Sequence, residues 1–394
     1  MLWGLLIVGI VIVLGLGMFY MYLQFRAVLM NGRKPKDFPP KTRRHKSCIA
    51  AIPVAVLVLL CVIRPYFWVV PVLHLLVGWT ILRVIVEIVE KVLTKRDQKK
   101  NLIEESEPTE GKDKETRAPR RHIPLWIPCV LALAMTIVYM SIAYYLAMHV
   151  CQTNYQVATN KDVSDLRIAL IADSHVGVCF DGDGFAIHLE TIQAQNPDLL
   201  VICGDFVDDD SIREDMLAAC EALGKFQSTY GVFYVPGNHD RGYGNSRDFT
   251  YDELTASLEQ NGVTVLEDEI VPIGEDYYLV GRKDRSMKRM PIEKLISPLD
   301  PSRYTIVLNH QPNDYDAEAD AGCDLVLSGH THGGQLIPIG VMGELIGAND
   351  ATYGKERRKN TTFIITSGIA DWAIPYKSGT ISEYCIIDIS NEET

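Results

Sequence analysis

Four long apolar stretches crowd the first 150 residues, and a chain with that pattern has to place its N-terminal part in a bilayer. The first, Leu2 to about Gln24, carries no charge and exceeds the roughly 20 residues that a spanning helix needs. No Lys or Arg precedes it and no small-residue cleavage site follows, so it reads as a retained anchor rather than a signal peptide. The second stretch, Cys48 to Ile63, is short, and the third runs from Tyr66 to about Leu82. Together these two read as two spans, with a re-entrant hairpin as the alternative. The fourth, Ile123 to Val150, bears Trp126, Tyr139, Tyr144 and Tyr145, some of which suit an interfacial aromatic belt.

Charge divides the chain at the same place. Residues 1–150 hold 20 basic and 10 acidic side chains, net +10, whereas residues 151–394 hold 18 and 40, net −22. We therefore expect a membrane domain over 1–150 and a second domain over 151–394. Most basic side chains of the first part fall in two loops, Arg26 to Lys46 and Lys91 to Arg121, with only Arg64 between the second and third stretches and Arg83 near the end of the third. The positive-inside rule puts both loops in the cytoplasm and the C-terminal domain outside it. Residues 97–118 are polar enough to be disordered or frayed. The acidic domain has no basic stripe with which to displace counterions, which excludes a nucleic-acid partner. The expected partners are the lipid bilayer and a small substrate; oligomeric state is left open. Nine cysteines form no CxxC pair, and Cys203 and Cys385 lie inside apolar runs as small hydrophobes.

From residue 166 onward, short apolar runs alternate with amphipathic stretches. Strands are expected at Leu166–Ala172, Leu199–Cys203, Val232–Val235, Tyr304–Leu308, Leu325–Leu327 and Phe363–Thr366, and helices at Ile212–Phe226 and Tyr251–Gln260. That alternation makes the second domain α/β. At the ends of these strands sit Asp173-Ser174-His175, Gly204-Asp205, Gly237-Asn238-His239-Asp240, Asn309-His310 and Gly329-His330-Thr331-His332-Gly333-Gly334. Five of the six histidines in residues 151–394 fall in these motifs; the sixth, His188, reads as an ordinary helix residue. Strand-end loops are where α/β sheets gather functional groups. Imidazole, carboxylate and amide donors without thiolates suit Mn, Fe, Zn or Ni.

This ordered set resembles the calcineurin-like metallophosphoesterases, and the run Gly329–Gln335 with its apolar continuation to Pro338 resembles their membrane-anchored bacterial branch. The resemblance covers roughly residues 166–390. It implies a four-layer α-β-β-α sandwich behind the transmembrane helices, and hydrolysis of phosphate mono- or diesters by a metal-bridging hydroxide. Two divalent metal ions would be held by this pattern. Asp173, His175 and His332 would bind the first, Asp205 would bridge, and Asn238, His310 and His330 would bind the second. His239 is then left to protonate the leaving group, with Asp240 as its acidic partner. Asn309 and the segment Gly368-Ile369-Ala370-Asp371-Trp372 depart from the family pattern, which bears on substrate choice rather than on ligands.

Other charged groups read more simply. Asp208, Asp209 and Asp210 suit a helix N-terminus. Arg282, Lys283, Arg285, Lys288 and Arg289 read as a solvated loop, with a phosphate or anionic head-group site as the functional alternative. Glu267-Asp268-Glu269 reads as an exposed acidic turn. About 15 residues between Val150 and Leu166 read as a tether holding the domain near the bilayer and its lipid or lipid-linked phosphoesters. A dead scaffold serving as a membrane metal or ligand sensor is the competing function. A transporter is disfavoured, since Glu87 is the one carboxylate near a span and sits at its end.

Overall fold

The computed structural model describes residues 2–104, 123–244, 246–337 and 340–391. It separates into two compact units, Met1–Ser141 and Ile142–Thr394, so the division falls inside the fourth apolar helix.

The first unit is helical: α1 (Leu2–Leu29), α2 (Pro40–Ile63), α3 (Pro65–Glu104) and α4 (Trp126–Met148), whose last turns belong to the second unit. All four are long and apolar enough to cross a membrane. Helix α2 begins well before the apolar run, at Pro40, where proline's missing N–H costs nothing. Its added turns carry basic side chains, and Lys46 Nζ donates to the Leu29 carbonyl at 2.6 Å. Helix α3 likewise continues past Leu82, helped by the Arg83–Glu87 pair one turn apart at 3.3 Å. Residues 97–104, expected to be disordered or a frayed helix, are helical; the rest of that stretch, from 105, lies outside the described residues. Full-length α2 and α3 favour two spans over a re-entrant hairpin. Trp79 is fully buried with Met18, Met21, Val72, Leu75 and Ala132, and Phe25 meets its ring edge-on at 4.9 Å.

The second unit holds β1 (Cys151–Thr159), β2 (Leu166–Ile171), α5 (Gly182–Gln193), β3 (Leu199–Cys203), α6 (Arg213–Gly224), β4 (Val232–Val235), α7 (Tyr251–Gln260) and β5 (Val263–Val265). It continues with β6 (Glu269–Ile273), β7 (Tyr277–Gly281), α8 (Ile292–Leu295), β8 (Tyr304–Leu308), α9 (Tyr315–Ala321), β9 (Leu325–Ser328), α10 (Gly340–Leu345), β10 (Gly354–Arg358), β11 (Thr361–Ile365) and β12 (Glu383–Asn391). Two six-stranded sheets result, in the orders β1-β12-β2-β3-β4-β5 and β10-β11-β9-β8-β7-β6. Both are mixed: β2 to β5 run parallel, as do β7, β8, β9 and β11, with antiparallel pairs at β12–β2, β6–β7 and β10–β11.

Alternation explains the layers. In β2, Ile168 and Leu170 face the second sheet and share a core with Ile306, Leu308, Leu325 and Leu327, while Ala169 and Ile171 face α5, α6 and α7. Val307, Val326 and Phe363 of the second sheet pack outward against α8 and α9. Both faces of each central strand are buried, which is why these strands read as unbroken apolar runs. The architecture is the expected four-layer sandwich.

One expectation fails. Residues 151–159 are not a loose tether: they form β1, paired in parallel along its whole length with β12, from Cys151↔Glu383 to Thr159↔Asn391. Only two residues separate α4 from this strand. Its polar composition hid it, because an edge strand buries one face; Cys151, Thr153, Tyr155 and Val157 turn inward and Gln152, Asn154, Gln156 and Ala158 outward. We predict that Val157→Asp, placing a charge in the inter-sheet core, destabilises the unit by roughly 3 kcal/mol, whereas Asn154→Asp on the exposed face leaves it nearly unchanged. A thermal denaturation comparison decides, since a loose tether would tolerate both.

Candidate metal centre

The parallel strands β2, β3, β4, β8 and β9 end side by side, and each carboxyl end delivers one of the five motifs. The loops are tight. Asp173, His175, Asp205, His330 and His332 all have positive φ, at 55°, 36°, 51°, 74° and 50°. Such backbone is costly for non-glycine residues and persists only where surroundings impose it, characteristically at functional sites. Two glycines are required by close approach. A Cβ on Gly204 would lie 2.6 Å from His310 Nδ1, and one on Gly237 would overlap the Asp205 carboxylate.

Donor atoms of Asp173, His175 and His332 lie within 4.8 Å of one another, and so do those of Asp205, His310 and His330. Asp205 stands between the sets, its Oδ2 3.1 Å from His310 Nε2 and 3.9 Å from His175 Nε2. Asn238 Oδ1 is 3.2 Å from His310 Nε2. All seven expected ligands therefore converge on one place. The ring partners also set tautomers. His310 Nδ1 donates to the Cys203 carbonyl at 2.7 Å, and His332 Nδ1 to that of Ala370 at 3.3 Å. His175 Nδ1 is turned to Asp208 Oδ2 at 3.4 Å. In the neutral ring each Nε2 then directs its lone pair into the centre, and those of His175 and His332 face each other at 3.3 Å. Opposed lone pairs next to carboxylates fit cations held between them, and carbonyl-bonded imidazoles are the usual supports of metal ligands.

Charge within the centre is unevenly spread. Burial raises the Asp173 carboxyl to about 6, although His310 and His175 oppose this. Burial would raise Asp205 too, but His310 and His175 hold it well below the usual carboxylate range. Burial disfavours charge on His310, yet Asp205 lifts it to about 10. His330 is lowered to about 4 by burial and by the neighbouring His310, and burial beside His175 keeps His332 well below its ordinary value. The neutral His330 and His332 and the ionised Asp205 are in the protonation states that ligands need, whereas His310 must first give up its proton.

The structure corrects the partner of His239. Asp240 does not orient it. Buried completely, the Asp240 carboxylate accepts from the backbone N–H groups of Asp205, Phe206, Val207 and Gly237 at 2.7–3.1 Å, joining the β3 and β4 loops. Arg247 donates to the Asp240 carbonyl at 2.8 Å and reinforces the joint. The group on His239 Nδ1 is Asp208, at 2.9 Å, whose carboxylate also faces His175. Burial would raise Asp208, but hydrogen bonds from His175 and His239 hold it below the usual range. In sequence this residue was indistinguishable from a helix-capping charge. The available signal was its spacing, three residues after the bridging aspartate. Tyr243 and Trp372 complete the mouth, with ring centroids 5.0 and 5.4 Å from His239.

Two other readings change. Arg282 is buried and bonded to the buried Glu318 at 2.8 Å, and Arg289 bonds Asp314 at 2.5 Å and Asn309 Oδ1 at 2.9 Å. Arg282 neutralises the buried Glu318 and Arg289 pairs with the exposed Asp314, so the basic cluster is not a solvated loop as a whole and offers less to an anionic head group. Asn309 also donates to Glu318 at 2.9 Å, which ties the unusual residue before His310 to this network. The acidic turn is structural: Asp268 accepts from the N–H groups of Lys283 and Met290, and Glu267 from Arg241 and Tyr251. His188 sits on α5, half-buried, beside Phe180.

Residues 166–334 match the profile of the calcineurin-like phosphoesterases. An uncharacterized metallophosphoesterase of Helicobacter pylori is 32% identical over 222 residues, covering 54% of this chain and 56% of that one. A Bos taurus transmembrane protein with metallophosphoesterase domain is 29% identical over 240 residues, covering 56% and 52%. The chain thus spans about half the length of these relatives, which come from animals as well as bacteria. Among solved structures, a dimetal phosphatase from Danio rerio aligns over 52% of this chain and 87% of that one, at 11% identity and a TM-score of 0.35. The segment that carries the metal centre, residues 166–334, thus matches a calcineurin-like phosphoesterase domain.

Proposed function

We propose that the chain is a membrane-anchored, two-metal phosphoesterase that hydrolyses phosphate mono- or diesters carried by lipids or lipid-linked molecules. The observation that carries this reading is Asp205, one ionised carboxylate between two convergent donor sets. Asp173, His175 and His332 would hold one divalent ion and Asn238, His310 and His330 the other, with Asp205 shared; Mn, Fe, Zn and Ni all suit these donors. When bound, such a pair supplies an activated water and neutralises phosphoryl charge.

The rest falls to the chain's own side chains. Asp208 holds the Nδ1 face of His239, so the opposite ring nitrogen is the one aimed at a leaving-group oxygen. Asp240 keeps the two loops that carry Asp205 and His239 at fixed separation. Tyr243 and Trp372 flank His239 and narrow the approach of water to the departing group. A poised His–Asp pair beside the donors favours a hydrolase over a sensor, which needs no proton donor. The close junction of α4 with β1 favours substrates at the bilayer over freely diffusing nucleotides. The two basic loops favour the extracytoplasmic side for the domain.

Asp205→Asn is expected to abolish metal content and turnover together, whereas His239→Ala keeps the metals and loses roughly 10²–10⁴-fold in kcat. Mass-spectrometric metal analysis beside initial rates separates them, and an empty site in His239→Ala would refute the assigned roles. Asp208→Asn should lower kcat at least about tenfold, and add far less in the His239→Ala background, because both act through one proton donor. Full additivity in that cycle would assign Asp208 to His175 alone. Because His310 holds its proton up to about 10 in the metal-free site, metal uptake must release it, so apparent affinity should rise with pH. Titration calorimetry in buffers of different ionisation enthalpy counts that proton. For orientation, protease added to intact cells should remove residues 151–394 and spare 91–122; a protected domain with a cleaved loop would invert the topology.

A further inference from the structure

Directly after His330 and His332 the chain runs Leu336-Ile337-Pro338-Ile339-Gly340-Val341-Met342-Gly343-Glu344-Leu345-Ile346, with Glu344 as its one charge. Leu336 is buried, but Ile337, Leu345 and Ile346 are 61, 75 and 72% exposed. Exposed apolar side chains grouped beside an active site mark a surface that something apolar covers.

Hydrogen bonds say where this segment begins. Ile337 N–H donates to Ser378 Oγ at 3.0 Å, Ser378 N–H to the Gln335 carbonyl at 2.6 Å, and the Gln335 amide to the carbonyls of Trp372 and Ile374. Gln335 and Ile337 are therefore pinned to the loop between β11 and β12. That same loop caps the end of α4. Lys377 N–H donates to the Ala143 carbonyl at 2.9 Å, Ser382 N–H to that of Leu146 at 2.9 Å, and Ser382 Oγ to that of Ala147 at 2.7 Å. Those of Leu146 and Ala147 are last-turn carbonyls that a helix cannot satisfy itself. On the same turns Ile142, Tyr144, Tyr145 and Met148 are exposed, as expected where a spanning helix meets the interface and tyrosines accumulate.

We propose that Ile337, Leu345 and Ile346 lie among the lipid in the interfacial layer of the bilayer that α4 crosses. The exposed Ile337 is joined, through one loop, to the lipid-facing end of a spanning helix. Charge favours such contact little, since residues 151–394 are net −22 and Arg282 and Arg289 are paired with Glu318 and Asp314. Since β1 runs parallel to β12 and β12 antiparallel to β2, α4 joins the sheet at the end where β2 delivers Asp173 and His175, which favours phosphoesters carried by the membrane. This deepens the function proposed above and rests on its membrane reading.

The test uses the full chain in nanodiscs of phosphatidylcholine and phosphatidylglycerol containing an alkyne-tagged phosphatidylcholine. A photo-crosslinking benzoylphenylalanine is placed at position 345 or 346, at 145 on α4 as a lipid-exposed reference, and at 187 on α5, whose native Ile187 is 63% exposed. Lipid adducts at 345 and 346 comparable to those at 145, and none at 187, are expected. Labelling at 145 without labelling at 345 and 346, or protein–protein adducts at 345, overturns the proposal. The adducts need no turnover, so an inactive enzyme would refute the phosphoesterase reading without touching this one. In kinetics, the double variant Leu345→Asp, Ile346→Asp should raise KM for a bilayer-borne phosphoester about tenfold and leave a water-soluble aryl phosphate unchanged. Equal losses on both substrates would mean a structural role and would also overturn it.

Discussion

The Asp240 carboxylate is the contact on which the rest of the centre depends. It is fully buried, and four backbone N–H groups from two loops point at it. A buried carboxylate is tolerated only with such saturation, and the saturation rigidifies what surrounds it. Asp205 is held in left-handed backbone by these bonds, and its own Oδ1 accepts from His239 N–H at 2.8 Å. Asp205 and His239, the proposed bridging carboxylate and proton donor, are thus positioned by one anchor. The two sheets supply the frame: their shared apolar core fixes the strand ends, and the loops supply the strain that aims the ligands.

A second constraint operates on the other side of the centre. His332 is steadied by the Ala370 carbonyl, and the next residue, Asp371, pairs with the fully buried Lys377 at 3.1 Å. Burial raises Asp371 to about 7 even though Lys377 opposes it. Lys377 also donates to the Ser367 carbonyl at 2.6 Å, and its backbone N–H reaches α4. The loop that departs from the family pattern, Gly368 to Trp372, is therefore the loop that links a metal ligand to the last turns of a membrane helix. Within it Asp371 forms a buried ion pair and Trp372 faces the mouth, while Lys377 and Ser382 further along reach α4.

Much of this protein was legible in its sequence. Apolar runs bounded by turn residues located β2, β3, β4, β8 and β9 because those strands are buried on both faces, and burial on both faces writes itself as continuous hydrophobicity. The candidate ligands were legible because five of the six histidines in residues 151–394 fall beside Asp or Asn at those strand ends. Bilayer-length helices were legible because lipid permits almost no charge. Strand β1 was not, since its exposed face is polar and its partner β12 lies more than 200 residues away in sequence. The helical extension of α3 was likewise hidden, as charged residues past Leu82 end a hydropathy run without ending a helix.

What the sequence by itself determined is composition and order: which segments must avoid water, which strands are central, and which donor types the centre contains. What only the tertiary structure decided is pairing. Asp208 and Asp240 are both acids close to His239, and no local rule says which one meets its ring. Arg282 and Arg289 looked like surface cations until Glu318 and Asp314 appeared behind them. The physical reason is common to each case. Side-chain type is a local property, but the partner of a buried charge is set by long-range packing that brings separate loops together, and desolvation makes that one pairing the only affordable one.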